Sequence, residues 1–387
     1  MRRDNLREVY VIGVGQTRFT KQPQFSAEEL GTVAARRAIE DAGIDPKILQ
    51  VAFAGRIEDA STTSQSIVQH FGIQQIECIN VENACSTGST AVHCLWKDIA
   101  LGAYDIGIAI GVESHSRSRI AGKLVPAAKG SYNDQIGHTA VSGMGHIAHH
   151  LMETRGCTME DMAYAAYKNH KAAVFNPYAH YRKALTIEEI VNSEMIASPI
   201  TKLMCCPNSD GAAAVILCTK EIAQRYTTQL VRFNSSFMSS GYFTGDTCEV
   251  NPEYGLARTC REIYEDSGVG PMDLNCIEMH DAYSPEEIVS YEQMLLCEPF
   301  ESAKLIRSGD LEMGGRCPVN LSGGMLSQGH PLGASGARVV CDVTRQLRGQ
   351  APVEVQIKKR GAGMVQMVGG GRAGRSSEAV HVGILTI

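Results

Sequence analysis

No apolar run in this 387-residue chain approaches the roughly 20 residues that a helix needs to cross a bilayer. The opening stretch, MRRDNLREVYVIGVGQ, has charge but no apolar segment long enough for a secretory signal, so a cytoplasmic location is expected. Basic residues are not in excess: 36 Lys and Arg stand against 42 Asp and Glu, for a net charge of −6. That balance speaks against a dedicated nucleic-acid binder and leaves room only for a local basic groove facing a phosphorylated ligand. The 13 cysteines never take CxxC spacing, so they read as reduced thiols rather than a disulfide framework. The glycine cluster MVGGGRAG lacks the GKS or GKT of a Walker loop. What remains is an ordinary globular composition, 44% hydrophobic and 20% charged. At roughly 100–200 residues per domain, the length predicts two or three domains.

The chain repeats itself. AARRAIEDAGIDPKILQVAFAG begins at Ala34, and ARTCREIYEDSGVGPMDLNCIEMHD begins at Ala257. Aligning Asp41 with Asp266, an offset of 225 residues, gives the same reading twice: a helix, a Gly stop, a Pro-containing loop and a buried strand. Two related α/β halves follow, near residues 1–230 and 231–387. Further strands are expected at EVYVIGVG, IGIAIGVE, AAAVILCT and HVGILTI. Residues 116–204 differ in character, being rich in His, Tyr and Met with helical stretches such as MEDMAYAAYKNHKAAV. They read as an insertion on the first half, suited to a lid or ligand-binding region.

Within VENACSTGSTAV, Cys85 sits on a turn before the helix STAVHCLWKDIALGA, which Gly102 ends. Free N–H groups and the helix dipole at that position favour a thiolate, although a free Cys is more often a core residue. Two other stretches tip the balance. LSGGMLSQGHPLGASGARVV sets His330 in a Gly-lined turn before a helix, where it is either structural or a base for a nearby nucleophile. MHDAYSPEE places His280 at the exit of the repeated strand, where parallel-sheet enzymes collect chemistry. GHIAHH sets His146 and His150 four apart, as zinc ligands can be, but without the Glu of HExxH, and no metal is expected. The adjacent Cys205 and Cys206 read as core or a pocket wall.

Together, NACSTGS, HDAYS, GHPLGASG and VGGG resemble the thiolase superfamily over nearly the whole chain. HDAYS is most similar to the HDCF signature of the sterol-carrier-protein (lipid-transfer-protein) type, and SPI and DGAAAVIL also look like that type. The resemblance implies two βαβαβαββ halves in five αβαβα layers, an inserted loop domain and a homodimer. It implies an acyltransferase acting on a β-ketoacyl-CoA, with coenzyme A as co-substrate. Cys85 would be acylated, and His330 would take its proton and help stabilise an oxyanion. His280 would line one oxyanion hole, and the N–H groups of Cys85 and Gly371 another. Tyr283, Met367, His138 and His146 are substrate-pocket candidates, the two histidines alternatively satisfying core hydrogen bonds.

The chain departs from the family where a second cysteine is due. The CxGGG position holds Met367 and the HDCF position holds Ala282, neither of which carries a titratable proton. Either Tyr283, Asp281, Glu287 or a His of the insertion supplies the proton, or the reaction is simple acyl transfer. Atypical members of this type work with a small zinc-ribbon and oligonucleotide-binding-fold protein. One such pair cleaves 2-benzoylsuccinyl-CoA to benzoyl-CoA and succinyl-CoA, and this chain is similar to its larger subunit. Two other readings compete: a retro-aldol lyase acting on a CoA thioester side chain, and a non-catalytic scaffold.

Overall fold

The computed structural model describes residues 6–58, 61–117, 135, 137–240, 255–370 and 379–387. The first half builds β1 (Val9–Gln16), α1 (Ala27–Ala42), β2 (Val51–Gly55), β3 (Glu77–Val81), α2 (Thr87–Leu101) and β4 (Ile106–Ser114). The inserted helices α3 (Ala140–Arg155) and α4 (Met159–Ala173) come next, before β5 (Asp210–Thr219). The second half builds β6 (Val231–Ser240), α5 (Gly255–Ser267), β7 (Leu274–Met279), α6 (Ser284–Gln293), α7 (Gly324–Gln328) and α8 (Leu332–Arg348). Strands β8 (Ala362–Gly369) and β9 (Ala379–Thr386) end it.

Local sequence explains where these elements stop. Helix α1 opens on a capping box between Ser26 and Glu29 and closes on Gly43 in the left-handed conformation at φ 64°. Gly268, its partner in the repeat, closes α5 at φ 69°. The repeated strands are β2 and β7, each beyond its helix and loop.

Nine strands align in the order β3-β2-β4-β5-β1-β6-β9-β8-β7. The order is mirrored about the short antiparallel β1–β6 ladder, Tyr10 with Arg232 and Val11 with Val231. Outward from that join, each half gives its first strand, its last, its fourth and its second. The third strand is β3 in the first half. In the second it shrinks to a single parallel bridge between Ile277 and Val319.

Both faces of each half-sheet are covered, so the strands are continuously apolar rather than alternating. Along β5, Ala212, Ala214 and Ile216 join an outer core with α1, while Ala213, Val215 and Leu217 join a central core. That central core holds α2 and α8, between strands of both halves. A third core covers the far face of the second half with α5 and α6. The layers are therefore helix, sheet, helix, sheet, helix, the αβαβα arrangement expected. The insertion, though it belongs to the first half in sequence, packs Met162, Ala163 and Ala166 of α4 into the third core with Ile288 and Tyr291 of α6.

Candidate active site

The two central helices meet through glycine. A Cβ on Gly88 of α2 would lie 2.6 Å from the Gly333 carbonyl of α8, and one on Gly336 would lie 2.1 Å from the Ser89 nitrogen. Only glycine permits that approach. It brings the start of α2, where Cys85 stands, against the start of α8, where His330 stands.

The Cys85 turn is held by the hydroxyls that precede and open α2. Thr87 Oγ1 accepts from the Asn83 N–H at 2.8 Å, and Asn83 Nδ2 donates to Thr90 Oγ1 at 3.0 Å. Ser89 and Thr90 both donate to the Ser86 carbonyl at 2.9 Å. Ala84 is forced to φ 49°, a left-handed conformation that costs a non-glycine residue energy and marks a turn fixed by its surroundings. Cys85 is left half-buried.

His330 follows Gly329, whose φ of 102° only glycine readily adopts. Its N–H donates to the Pro207 carbonyl at 3.3 Å. Its Nδ1 lies 2.8 Å from Ser335 Oγ, and that hydroxyl donates its own proton to the Pro331 carbonyl. Nδ1 must therefore carry the ring proton, leaving a bare lone pair on Nε2. Burial holds His330 well below the usual imidazole pKa, and the neighbouring His280 adds to this, so the ring is neutral.

His280 leaves the end of β7 in the opposite state. Its N–H donates to Gln366 on β8, and its Nδ1 donates to Glu286 Oε1 at 2.7 Å. The other oxygen of Glu286 accepts from the Ala282 N–H at 3.1 Å. Burial lowers the His280 pKa, but the Glu286 carboxylate and Cys85 outweigh it and carry it up to about 10. His280 is thus an imidazolium whose Nε2–H is turned to Cys85.

Cys85 Sγ and a nitrogen of each imidazole all lie within 4.8 Å of one another. The rings meet edge to face with centroids 5.1 Å apart. Both Nε2 atoms are buried without a hydrogen-bond partner. A nucleophile, a charged donor and a bare acceptor converge on one point. The same three atoms are a ligand set that zinc could use, in competition with the proton on His280.

The other sequence candidates fall elsewhere. Met367 is fully buried and belongs to the central core. Beyond it, Gly369 abuts the Cys85 loop, where a Cβ would lie 2.2 Å from the Asn83 carbonyl. Gly371 lies outside the described residues. Tyr283 is half-buried against the third core. His138 and His146 stack on each other at 6.3 Å, and His138 bonds Ser142 at 3.2 Å.

Asp281 and Glu287 are spent on a buried scaffold. Asp281 accepts from the Met325 N–H at 2.6 Å and from Asn169 at 2.8 Å, while Glu287 pairs with Lys168 at 2.6 Å. Sequence reasoning missed Glu286 as the partner of His280, because a contact across a loop into the next helix has no fixed spacing.

A model of the thiolase N-terminal domain matches residues 9–221, and one described as thiolase C-terminal domain-like matches residues 250–382. The chain is 36% identical to the benzoylsuccinyl-CoA thiolase subunit BbsB of Thauera aromatica over 375 residues, covering 96% of this chain and 97% of that protein. It is 34% identical over 363 residues to sterol carrier protein 2 of Bos taurus, covering 89% of this chain and 67% of that protein. Among solved structures, the Ltp2-ChsH2(DUF35) aldolase superposes with a TM-score of 0.84 at 22% identity, covering 99% of this chain and 98% of that one.

Proposed function

The chain belongs to the thiolase family of acyltransferases, and on that footing we propose that it cleaves a β-ketoacyl-CoA with coenzyme A through an acyl-Cys85 intermediate. The observation that carries this reading is the convergence of the Cys85 sulfur with the two unpaired imidazole nitrogens. His330 Nε2 takes the Cys85 proton, and the thiolate attacks the keto carbonyl. The charge that develops on the carbonyl oxygen meets His280 Nε2–H and the newly protonated His330. Such a donor in a dry site is typically worth about 2.7–4 kcal/mol. Collapse breaks the bond to the α-carbon and leaves the acyl group on sulfur. The thiol of coenzyme A then takes the acyl group, and Cys85 leaves as a thiolate that recovers its proton from His330.

The identity to the benzoylsuccinyl-CoA thiolase subunit, over nearly both whole chains, supports 2-benzoylsuccinyl-CoA as the substrate and benzoyl-CoA and succinyl-CoA as products. That relative is named as a subunit, which supports a partner protein, proposed as the small zinc-ribbon and oligonucleotide-binding-fold type. A homodimer is supported by β3, a sheet-edge strand whose residues are all exposed or half-buried, since a bare edge invites pairing. Among the described residues no helix is long and apolar enough to cross a membrane, and we place the protein in the cytoplasm.

Mass spectrometry after exposure to benzoyl-CoA, succinyl-CoA and acetyl-CoA tests the mechanism. A stable acyl adduct on Cys85, absent from a Cys85→Ala variant with unchanged thermal unfolding, is expected. Turnover in that variant at the rate of the parent would refute it. A retro-aldol lyase, the second reading, needs no acyl-cysteine and gives no adduct.

A further inference from the structure

The cycle above leaves one proton unassigned. When the carbon–carbon bond breaks, the α-carbon departs with its electron pair and needs a proton. When coenzyme A arrives, its thiol must lose one. His280 is engaged with the carbonyl oxygen and held by Glu286, and His330 serves Cys85. Asp281 and Glu287 are bound into the scaffold behind the site.

Residues 205–206 run antiparallel to residues 282–283, with Cys205 opposite Tyr283 and the Cys206 N–H donating to the Ala282 carbonyl at 2.9 Å. That register sets Cys206 opposite Ala282, and cross-strand neighbours share a face. Side chains alternate along a strand, so Cys205 and Tyr283 take the other face. The packing agrees: Cys205 and Tyr283 lie against the third core, and Cys206 against the central one, on the side of α2 and α8. The next residue, Pro207, accepts the His330 N–H at 3.3 Å. Cys206 is thus tied on one side to the segment that carries His280 and on the other to His330, the two imidazoles that converge with the Cys85 sulfur within 4.8 Å. Its surface stays partly open.

We infer that Cys206 is the proton carrier of this cycle, acting at the α-carbon and on the incoming thiol; the inference rests on the thiolytic reading above. In the first half-reaction the Cys206 S–H bond breaks as a C–H bond forms on the departing carbanion, leaving a Cys206 thiolate. In the second, that thiolate takes the proton of the coenzyme A thiol, whose sulfur attacks acyl-Cys85. Cys206 ends as it began, and the cycle consumes no oxidant or reductant. Burial pushes the Cys206 thiol well above its usual pKa, and Cys205, Cys85, Asp281 and Glu286 add to this. It therefore rests protonated, as a donor must.

Deuterium exchange at the α-carbon of succinyl-CoA in D2O, followed by mass spectrometry, reads this proton transfer apart from acylation. A general acid–base group typically contributes about 100- to 10,000-fold. Cys206→Ala is expected to slow exchange by at least about 100-fold while Cys85 is still acylated by benzoyl-CoA, which has no α-hydrogen to exchange. Cys205→Ala leaves exchange unchanged. The double variant Cys206→Ala/Ala282→Cys, which returns a thiol to the same face from the facing strand, recovers at least about tenfold, a rescue that a packing role would not produce. Exchange in Cys206→Ala at the parent's rate, or no exchange in the parent although Cys85 is acylated, overturns the inference. Absence of any acyl-Cys85 in the parent overturns the thiolytic reading instead.

Discussion

Replacing Glu286 with Gln keeps the shape of the side chain and removes the charge that holds His280 protonated. A rise in the His280 pKa from 6.5 to about 10 corresponds to about 5 kcal/mol of preference for the imidazolium. Burial acts against that preference, so the carboxylate and Cys85 supply all of it. An opposite charge at contact distance commonly moves a pKa by about 1–3 pH units. Glu286→Gln is therefore expected to lower the His280 midpoint by about 2 pH units, or about 2.7 kcal/mol. The assay is NMR of the protein with 15N-labelled imidazoles, the His280 signal being assigned by its loss in His280→Gln. Stability must follow with a definite sign. The folded pKa lies above the unfolded one, so the stabilisation from charged His280 is complete below about pH 6.5 and is lost as the pH rises through about 10. The variant should fall furthest below the parent in unfolding free energy near pH 6, and the gap should close above pH 10. A His280 midpoint unmoved by the substitution would refute the reasoning.

Two structural predictions accompany those made above for Cys85 and Cys206. Arg338 is fully buried 2.6 Å from Glu278, so Arg338→Leu strands the buried Glu278 carboxyl, while Asp342 keeps Arg345 at 3.1 Å. The expected loss is about 3–5 kcal/mol by denaturant unfolding, and a loss under 1 kcal/mol would contradict it. Gly336→Ala drives a methyl to 2.1 Å from the Ser89 nitrogen at the helix crossing. Overpacking of this kind costs about 1–3 kcal/mol, here against backbone that cannot swing aside, and the variant should also lose Cys85 acylation as the helix starts part. Full acylation in a destabilised Gly336→Ala would separate the crossing from the chemistry.

Much of the fold was legible because it is written locally. Every strand proposed from the sequence forms, since a run such as AAAVILCT, apolar on both faces, fits only a covered sheet. The helix ends were legible in Gly43, Gly102 and Gly268, whose left-handed backbone a cap requires. The packing of α4 against α6 was not legible, because α4 carries no mark of which apolar face it will meet. The site divides in the same way. Cys85, His280 and His330 each announce themselves by their neighbours. Glu286 and Cys206 do not, because the contacts on which their proposed roles rest are made across the fold.

The amino-acid order by itself carried the repeated helix–loop–strand pattern, the strands and several helix ends, and it pointed to the three residues proposed for acyl chemistry. These depend on periodicity, caps and turns, which act over a few residues and can be read where they stand. Only the tertiary structure decided how the three are charged and what surrounds them. It is the crossing of α2 and α8 at glycine that puts a sulfur beside two imidazoles. It is a carboxylate on one side and burial on the other that make one imidazole a cation and keep the other neutral. Protonation depends on distance and burial in three dimensions, and neither is encoded at any single position of the chain.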